Sequence, residues 1–198
     1  RDERINRIFE GTNEINRLII SGTLLKKAIV EEIPIRDMIA QRTENWLPDL
    51  TLSFETELIP ESKAVEFSRS FLLFCLHEAI LKYGQDLKNK QWIIEPLSNM
   101  VIALAIMDTG FKRYIQIFPG EHKDRTFDVL KLSIADQFEE CHKNGMDIVN
   151  AIFIGEKLIE KTELVNEWYA KTDYIPKRIE SQKRIANTLY ELNKYYLD

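Results

Sequence analysis

The chain is 198 residues long, 44% hydrophobic and 30% charged, which gives it enough apolar side chain for a sizeable core and excludes a disordered polypeptide. Its formal net charge is -5, and its lysines and arginines are interspersed with acids rather than gathered into a stripe, so no basic face for nucleic acid is expected. With only 7 glycines and 6 prolines a mainly helical protein is expected, and the longest apolar run, LSNMVIALAIM at 97–107, is too short to cross a bilayer.

The first predicted elements flank a turn. In RDERINRIFEGTNEINR, residues 1–17, Arg4, Ile5, Ile8 and Phe9 fall at helical spacing, and Ile15, Leu18, Ile19 and Leu25 resume that period after Gly11, Thr12 and Asn13. Glu10 therefore ends one helix. Gly11 lets another molecule approach the backbone, Thr12 or Asn13 caps the next helix, and Glu14 stands in its favourable first turn. From spacing alone the corner is either a solvated helix–turn–helix or a place where a ligand meets a lone carboxylate.

Between Pro34 and Pro60 the chain mixes short apolar pieces with prolines and charge, which reads as a linker carrying one short helix near 36–44. Strong periodicity follows. Val65, Ser68, Leu72, Cys75, Ala79, Tyr83 and Leu87 mark one face of a long helix, and Phe67, Phe71 and Phe74 widen it until the helix is expected to be buried on two sides. A second helix spans about 91–118 through Ile93, Leu97, Met100, Leu104, Met107, Phe111 and Ile115; Pro96 either kinks it or marks its start, and Pro119-Gly120 ends it. A third carries Phe127, Leu130, Ile134, Phe138 and Cys141, with a break or kink at Gly145 before Ile148, Ile152 and Ile159 continue the pattern. The fourth begins after Pro176, with Ile179, Gln182, Ile185, Leu189, Leu192 and Tyr196 as its face. The expected fold is all-α, an antiparallel four-helix-bundle-like domain.

Other chemistry is set aside on spacing. Glu139 and His142 have the Glu-x-x-His interval of a di-iron bundle, but no second pair exists, so no metal site is expected and a solvated helical pair is the better account. Cys75 and Cys141 sit in apolar patterns and read as reduced core residues, which fits a cytoplasmic protein. Cys141 and His142 are adjacent on a helix and point apart, which argues against a nucleophile and its base. Trp168, Tyr169, Tyr174, Tyr190, Tyr195 and Tyr196 are read as packing at the solvent boundary.

The pattern R-D-x-R-I-x-x-I-x-E-G-T-N-E-I-x-R, filled at nearly every position over 1–17, resembles the signature near the C-terminal end of the flavin-dependent acyl-CoA dehydrogenases. LIISGTLLKKAIVEEIPI continues the resemblance more loosely. It implies that Glu10 is the base that removes the α-proton of an acyl-CoA, that Gly11 packs against the bound thioester, and that Thr12, Asn13 and Glu14 neighbour flavin adenine dinucleotide (FAD). Branches such as those acting on isovaleryl-CoA take their base from elsewhere, and Glu10 argues against them. Such a base has to be desolvated by substrate so that its pKa rises, because a thioester α-proton is a weak acid. The implied product is a trans-2-enoyl-CoA of fatty acid β-oxidation, with electrons leaving to electron-transferring flavoprotein.

Residues 61–198 resemble, in position and helical pattern, the extra C-terminal domain of the very-long-chain branch and its bacterial relatives. That resemblance implies a homodimer, and peripheral membrane contact in the mitochondrial members. The expected organisation is the end of a catalytic helical domain at 1–35, a linker at 36–60 and the bundle at 61–198. Because the chain opens on Arg1 inside the motif and has no initiator methionine, it is expected to be a fragment that is inactive alone. The reading from a different class is a non-catalytic helical assembly or interaction module.

Overall fold

In the computed structural model the described residues are 12–43, 46, 58–117 and 123–192. Among them the secondary structure is helical: α1 (Asn13–Ile29), α2 (Ile35–Ala40), α3 (Ile59–Tyr83), a 3-10 helix (Gly84–Asn89), α4 (Gln91–Ile117), α5 (Lys123–Ile152), α6 (Glu156–Lys171) and α7 (Arg178–Leu192).

Side-chain contacts fix the helix directions. Cys141 faces the carbonyl of Ser68 and Cys75 that of Gly145, and Lys82 reaches the carbonyl of Ile152, so α3 and α5 ascend together. Arg69 pairs with Asp108 and Tyr114 stacks on Phe127, which sets α4 antiparallel to both. Arg17 meets Asn99 while Ser21 meets the carbonyl of Ile94, so α1 runs antiparallel along α4. At the other side Asp128 holds Arg184 and Asp136 holds Arg178, laying α7 antiparallel on α5. The antiparallel helical bundle expected from periodicity is present, with α1 packed onto it and Ile35 of α2 inside the common core.

The aromatic widening of α3 has the predicted consequence. Phe67, Phe71 and Phe74 are at most 1% exposed, and serines at 62, 68 and 70 are buried as well, so the helix is enclosed nearly all round. Ser62 and Ser68 satisfy their hydroxyls on the carbonyls of Ile59 and Ala64 one turn earlier. α4 contributes Ile93, Leu97, Met100 and Met107 and α5 contributes Leu130, Ile134, Phe138, Cys141 and Ile148, as their spacing requires.

Several boundaries differ from expectation for physical reasons. α5 runs through Gly145 without a break. A Cβ there would lie 2.6 Å from Cζ and 2.8 Å from Cδ1 of Phe71, and nearer still to Cε1, so this glycine makes room for a ring rather than ending a helix. The chain turns instead at Gly155, whose φ of +62° is a left-handed conformation suited to glycine, and Ile159 beyond it is exposed on α6. α3 stops at Gly84, φ +50°, and Leu87 is buried from the 3-10 helix. The short helix in the proline-rich stretch is Ile35–Ala40, and Trp46 beyond it packs edge-on against Phe74. Pro96 lies inside α4 as its sixth residue. Pro119-Gly120, Tyr195 and Tyr196 fall outside the described residues.

α7 corrects its predicted face. Ile179 is 69% exposed, and the inward positions are Ser181 and the half-buried Arg178, Ile185, Leu189 and Leu192, because charged and hydroxyl contacts to α5 set its rotation. Trp168 and Tyr174 are core residues, whereas Tyr190 stands in solvent. α4 corrects the length argument as well: Gln91–Gln116 is long and apolar enough to cross a membrane, with a mean hydropathy of 1.3. Ile93, Ile94, Leu97, Met100, Ala103 and Met107 along it are taken up by packing in the core, while Trp92, Ile106 and Ile115 are exposed.

Candidate functional site

Three of the five residues singled out for chemistry form the N-terminal corner of α1; Glu10 and Gly11 lie outside the described residues. Thr12 is the cap. Its backbone is extended (φ -60°, ψ 155°), and its hydroxyl oxygen accepts from the Ile15 N–H at 3.4 Å. Asn13 is the first helical residue, and Glu14 sits in the first turn with its side chain in solvent.

The corner polarises its own carboxylate. Glu14 is held below the ordinary carboxyl range, first by its own backbone N–H, then by the Thr12 hydroxyl, with the Arg17 charge adding to them. A carboxylate stabilised in this way is a weak proton acceptor, so Glu14 is unsuited to remove a proton from carbon and suited to accept hydrogen bonds.

One turn on, α1 is tied into the bundle by polar groups. Arg17 Nε donates to Asn99 Oδ1 at 2.6 Å, and Asn99 Nδ2 donates to Asn144 Oδ1 at 2.9 Å. Asn144 Nδ2 in turn donates to the carbonyl and carboxylate of Glu140, at 2.7 and 2.9 Å. Below that chain, the Ser21 and Ser98 hydroxyl oxygens lie 2.6 Å apart, Ser21 also within reach of the Ile94 carbonyl and Ser98 of the Arg17 carbonyl, so their two protons serve two of these three contacts at a time. Ser21, Ser98 and Asn144 are at most 5% exposed. Sequence reasoning missed this ladder. The available signal was the placement of Ser98-Asn99 within the most apolar run of the chain and of Asn144 beside Gly145, where polar residues need partners.

The remaining candidates do not converge. Glu139 pairs with Arg178 on the α7 side, while His142 stands among Phe67, Phe71 and Tyr169, with ring centroids 6.3, 6.1 and 4.7 Å away. His142 is pushed below the usual imidazole range by burial, and its Nε2 has no hydrogen-bond partner among the described residues. Among the described residues no group of three or more histidines, cysteines or acids could hold a metal. Both thiols are free and buried; burial raises Cys75 well above the usual thiol range and pushes Cys141 up to about 12. Neither is poised as a nucleophile.

No protein-family model matches the chain. Across 200 aligned residues, 98% of this chain, it is 26% identical to a Bacillus subtilis (strain 168) protein described as a probable acyl-CoA dehydrogenase. In fold, 100% of the chain superposes with a TM-score of 0.87 and 27% identity on the crystal structure of an acyl-CoA dehydrogenase complexed with FAD from Bacillus anthracis. The region matched there is that enzyme's C-terminal helical domain. The chain spans about a third of the length of each, 33% and 34%.

Proposed function

We propose that this chain is the C-terminal helical part of a flavin-dependent acyl-CoA dehydrogenase that oxidises acyl-CoA to trans-2-enoyl-CoA in fatty acid β-oxidation, with Glu10 as its base. The observation that carries this reading is likeness along the entire chain, in sequence and in fold, to acyl-CoA dehydrogenases, one of them complexed with FAD.

In the proposed chemistry Glu10 takes the α-proton once substrate has excluded water from it, and Gly11 lets the thioester approach the backbone closely. FAD, when bound, supplies the hydride acceptor at the substrate β-carbon. Thr12, Asn13 and Glu14 fit such a group as a polar edge: Thr12 and Asn13 are half-buried rather than enclosed, and the Asn13 N–H at the start of α1 has no acceptor within the helix. The ladder beneath Arg17 holds that edge in one position relative to α4 and α5. Electron-transferring flavoprotein as electron acceptor, a homodimeric parent and a cytoplasmic location belong to the same proposal. The relatives are about three times as long, so the remaining flavin and CoA contacts are assigned to their other two thirds, and these 198 residues alone are inactive.

The test is Glu10→Gln in the full-length protein, followed by anaerobic acyl-CoA titration while flavin absorption is recorded. Bound flavin with turnover reduced by about 10²–10⁴-fold, the usual contribution of a general base, is the expected result. Turnover at the parent rate would remove Glu10 from the reaction.

A further inference from the structure

α1, α2, the end of α3 and the 3-10 helix border a half-open cavity of about 840 Å³ that no part of the proposed reaction uses. Its walls are Leu25 and Ala28 of α1, Ile35 and Ile39 of α2, Ile80 of α3 and Leu87. Two of these, Ile35 and Leu87, are at most 5% exposed and belong to the core, so the walls are set by packing; Ile80, 39% exposed, stands at the opening. A largely apolar, half-open hollow of this size falls in the volume range of small-molecule sites.

Its polar rim is one-signed. Arg36 and Lys88 line the cavity, and no carboxylate is among the described residues on its wall. Asp37, next to Arg36 in sequence, is exposed and does not line the cavity, and the other acids close in sequence to the two cations are engaged elsewhere or only weakly. Asp86 is taken by Lys90 and Asn89, Glu32 by Lys27, and Glu31 approaches Arg36 only as an exposed pair at 3.9 Å. His77 is the other titratable group on the wall.

From hydrocarbon walls under a cationic rim we infer that this cavity is a binding site for an alkyl chain with an anionic head, of the fatty carboxylate class. The chain displaces water from Leu25, Ala28, Ile39 and Ile80 over a floor of Ile35 and Leu87, and the head is met by Arg36 and Lys88. This inference rests on the cavity alone and stands independently of the dehydrogenase reading.

The experiment is photolabelling of the full-length protein with a diazirine analogue of laurate, with and without excess laurate, followed by peptide mapping. Adducts on Leu25, Ile39, Ile80 or Leu87 that excess laurate removes are expected. Two variants locate the parts of the site. Ala28→Phe puts a ring into the cavity from its α1 wall and reduces these adducts, and the double reversal Arg36→Glu with Lys88→Glu, on exposed side chains, weakens laurate competition by about tenfold. A diazirine alkyl alcohol is expected to label the parent protein and the reversed variant equally. Adducts elsewhere only, or adducts undiminished in Ala28→Phe, would overturn the site; unchanged laurate competition in the reversed variant would overturn the anionic head.

Discussion

Replacing Gly145 by alanine tests the close approach of α5 to the Phe71 ring. The added Cβ would stand 2.6 Å from Cζ of Phe71, against an ordinary carbon–carbon separation of about 3.5–4.0 Å, so the ring or the helix has to move by about 1 Å. The ring has nowhere to go. It is fully buried, with Phe67, Phe74 and His142 around it at centroid separations of 5.6, 6.5 and 6.1 Å. Overpacking of this kind costs up to about 3 kcal/mol, and alanine returns about 1 kcal/mol over glycine inside a helix, which leaves a net loss of about 2 kcal/mol. With a urea slope of about 2 kcal/mol/M, the unfolding midpoint followed by far-UV circular dichroism falls by about 1 M. Phe71→Leu combined with Gly145→Ala should then lose less than the sum of the two single changes, because the smaller side chain vacates the space. A Gly145→Ala protein more stable than its parent by the helix-propensity gain alone would refute the steric account.

Thr12→Ala removes the α1 cap and is expected to cost about 0.5–1 kcal/mol, read as faster amide exchange confined to the first turn of α1, whereas Thr12→Ser keeps the protection. His142 makes stability depend on pH with a definite sign. Its folded pKa lies below the unfolded one, so the unfolded chain takes up the proton first and stability is lost as pH falls through about 6.5. Urea midpoints at about pH 7.5 and pH 5.5 should differ by more in the parent than in His142→Phe. Glu61 has the opposite sense: burial raises its carboxyl pKa and Oε2 has no hydrogen-bond partner among the described residues, so its ionisation costs stability as pH rises through the folded value. Glu61→Gln should therefore raise the urea midpoint at pH 7 and change it little at pH 4, and a loss at pH 7 would show that the charge is compensated.

The long helices were legible because periodicity and burial coincide in them. Phe67, Phe71 and Phe74, or Leu130, Ile134 and Phe138, occupy the inward positions that a 3.6-residue repeat assigns. Local cues failed where a distant group decided the outcome. Gly145 looks like a helix breaker until Phe71 is placed against it, and no local pattern brings those two residues together. On α7 Ile185, Leu189 and Leu192 do turn inward as their spacing requires, but Ile179 and Gln182 are exposed, because the first turns are set by Ser181, Arg178 and Arg184 reaching acids on α5, which an apolar count does not see. At the candidate site, the cap at Thr12 and the first-turn position of Glu14 were readable from the turn residues themselves. Arg17, Asn99 and Asn144 were not, since their bonds cross 82 and 45 residues of sequence.

The ladder beneath Arg17 also acts as a register key. An apolar seam between α1 and α4 would tolerate a slip of one turn, about 5.4 Å, with modest loss, since leucine and isoleucine substitute for one another as neighbours. Donors and acceptors do not. Sliding α1 by a turn would part Arg17 from Asn99 and Ser21 from Ser98 and leave buried polar atoms unmatched, each at about 1–3 kcal/mol. Only one axial setting of the helix is therefore allowed, and Thr12 and Asn13 at its tip are delivered to one address relative to α5, much as a keyed connector seats in a single position.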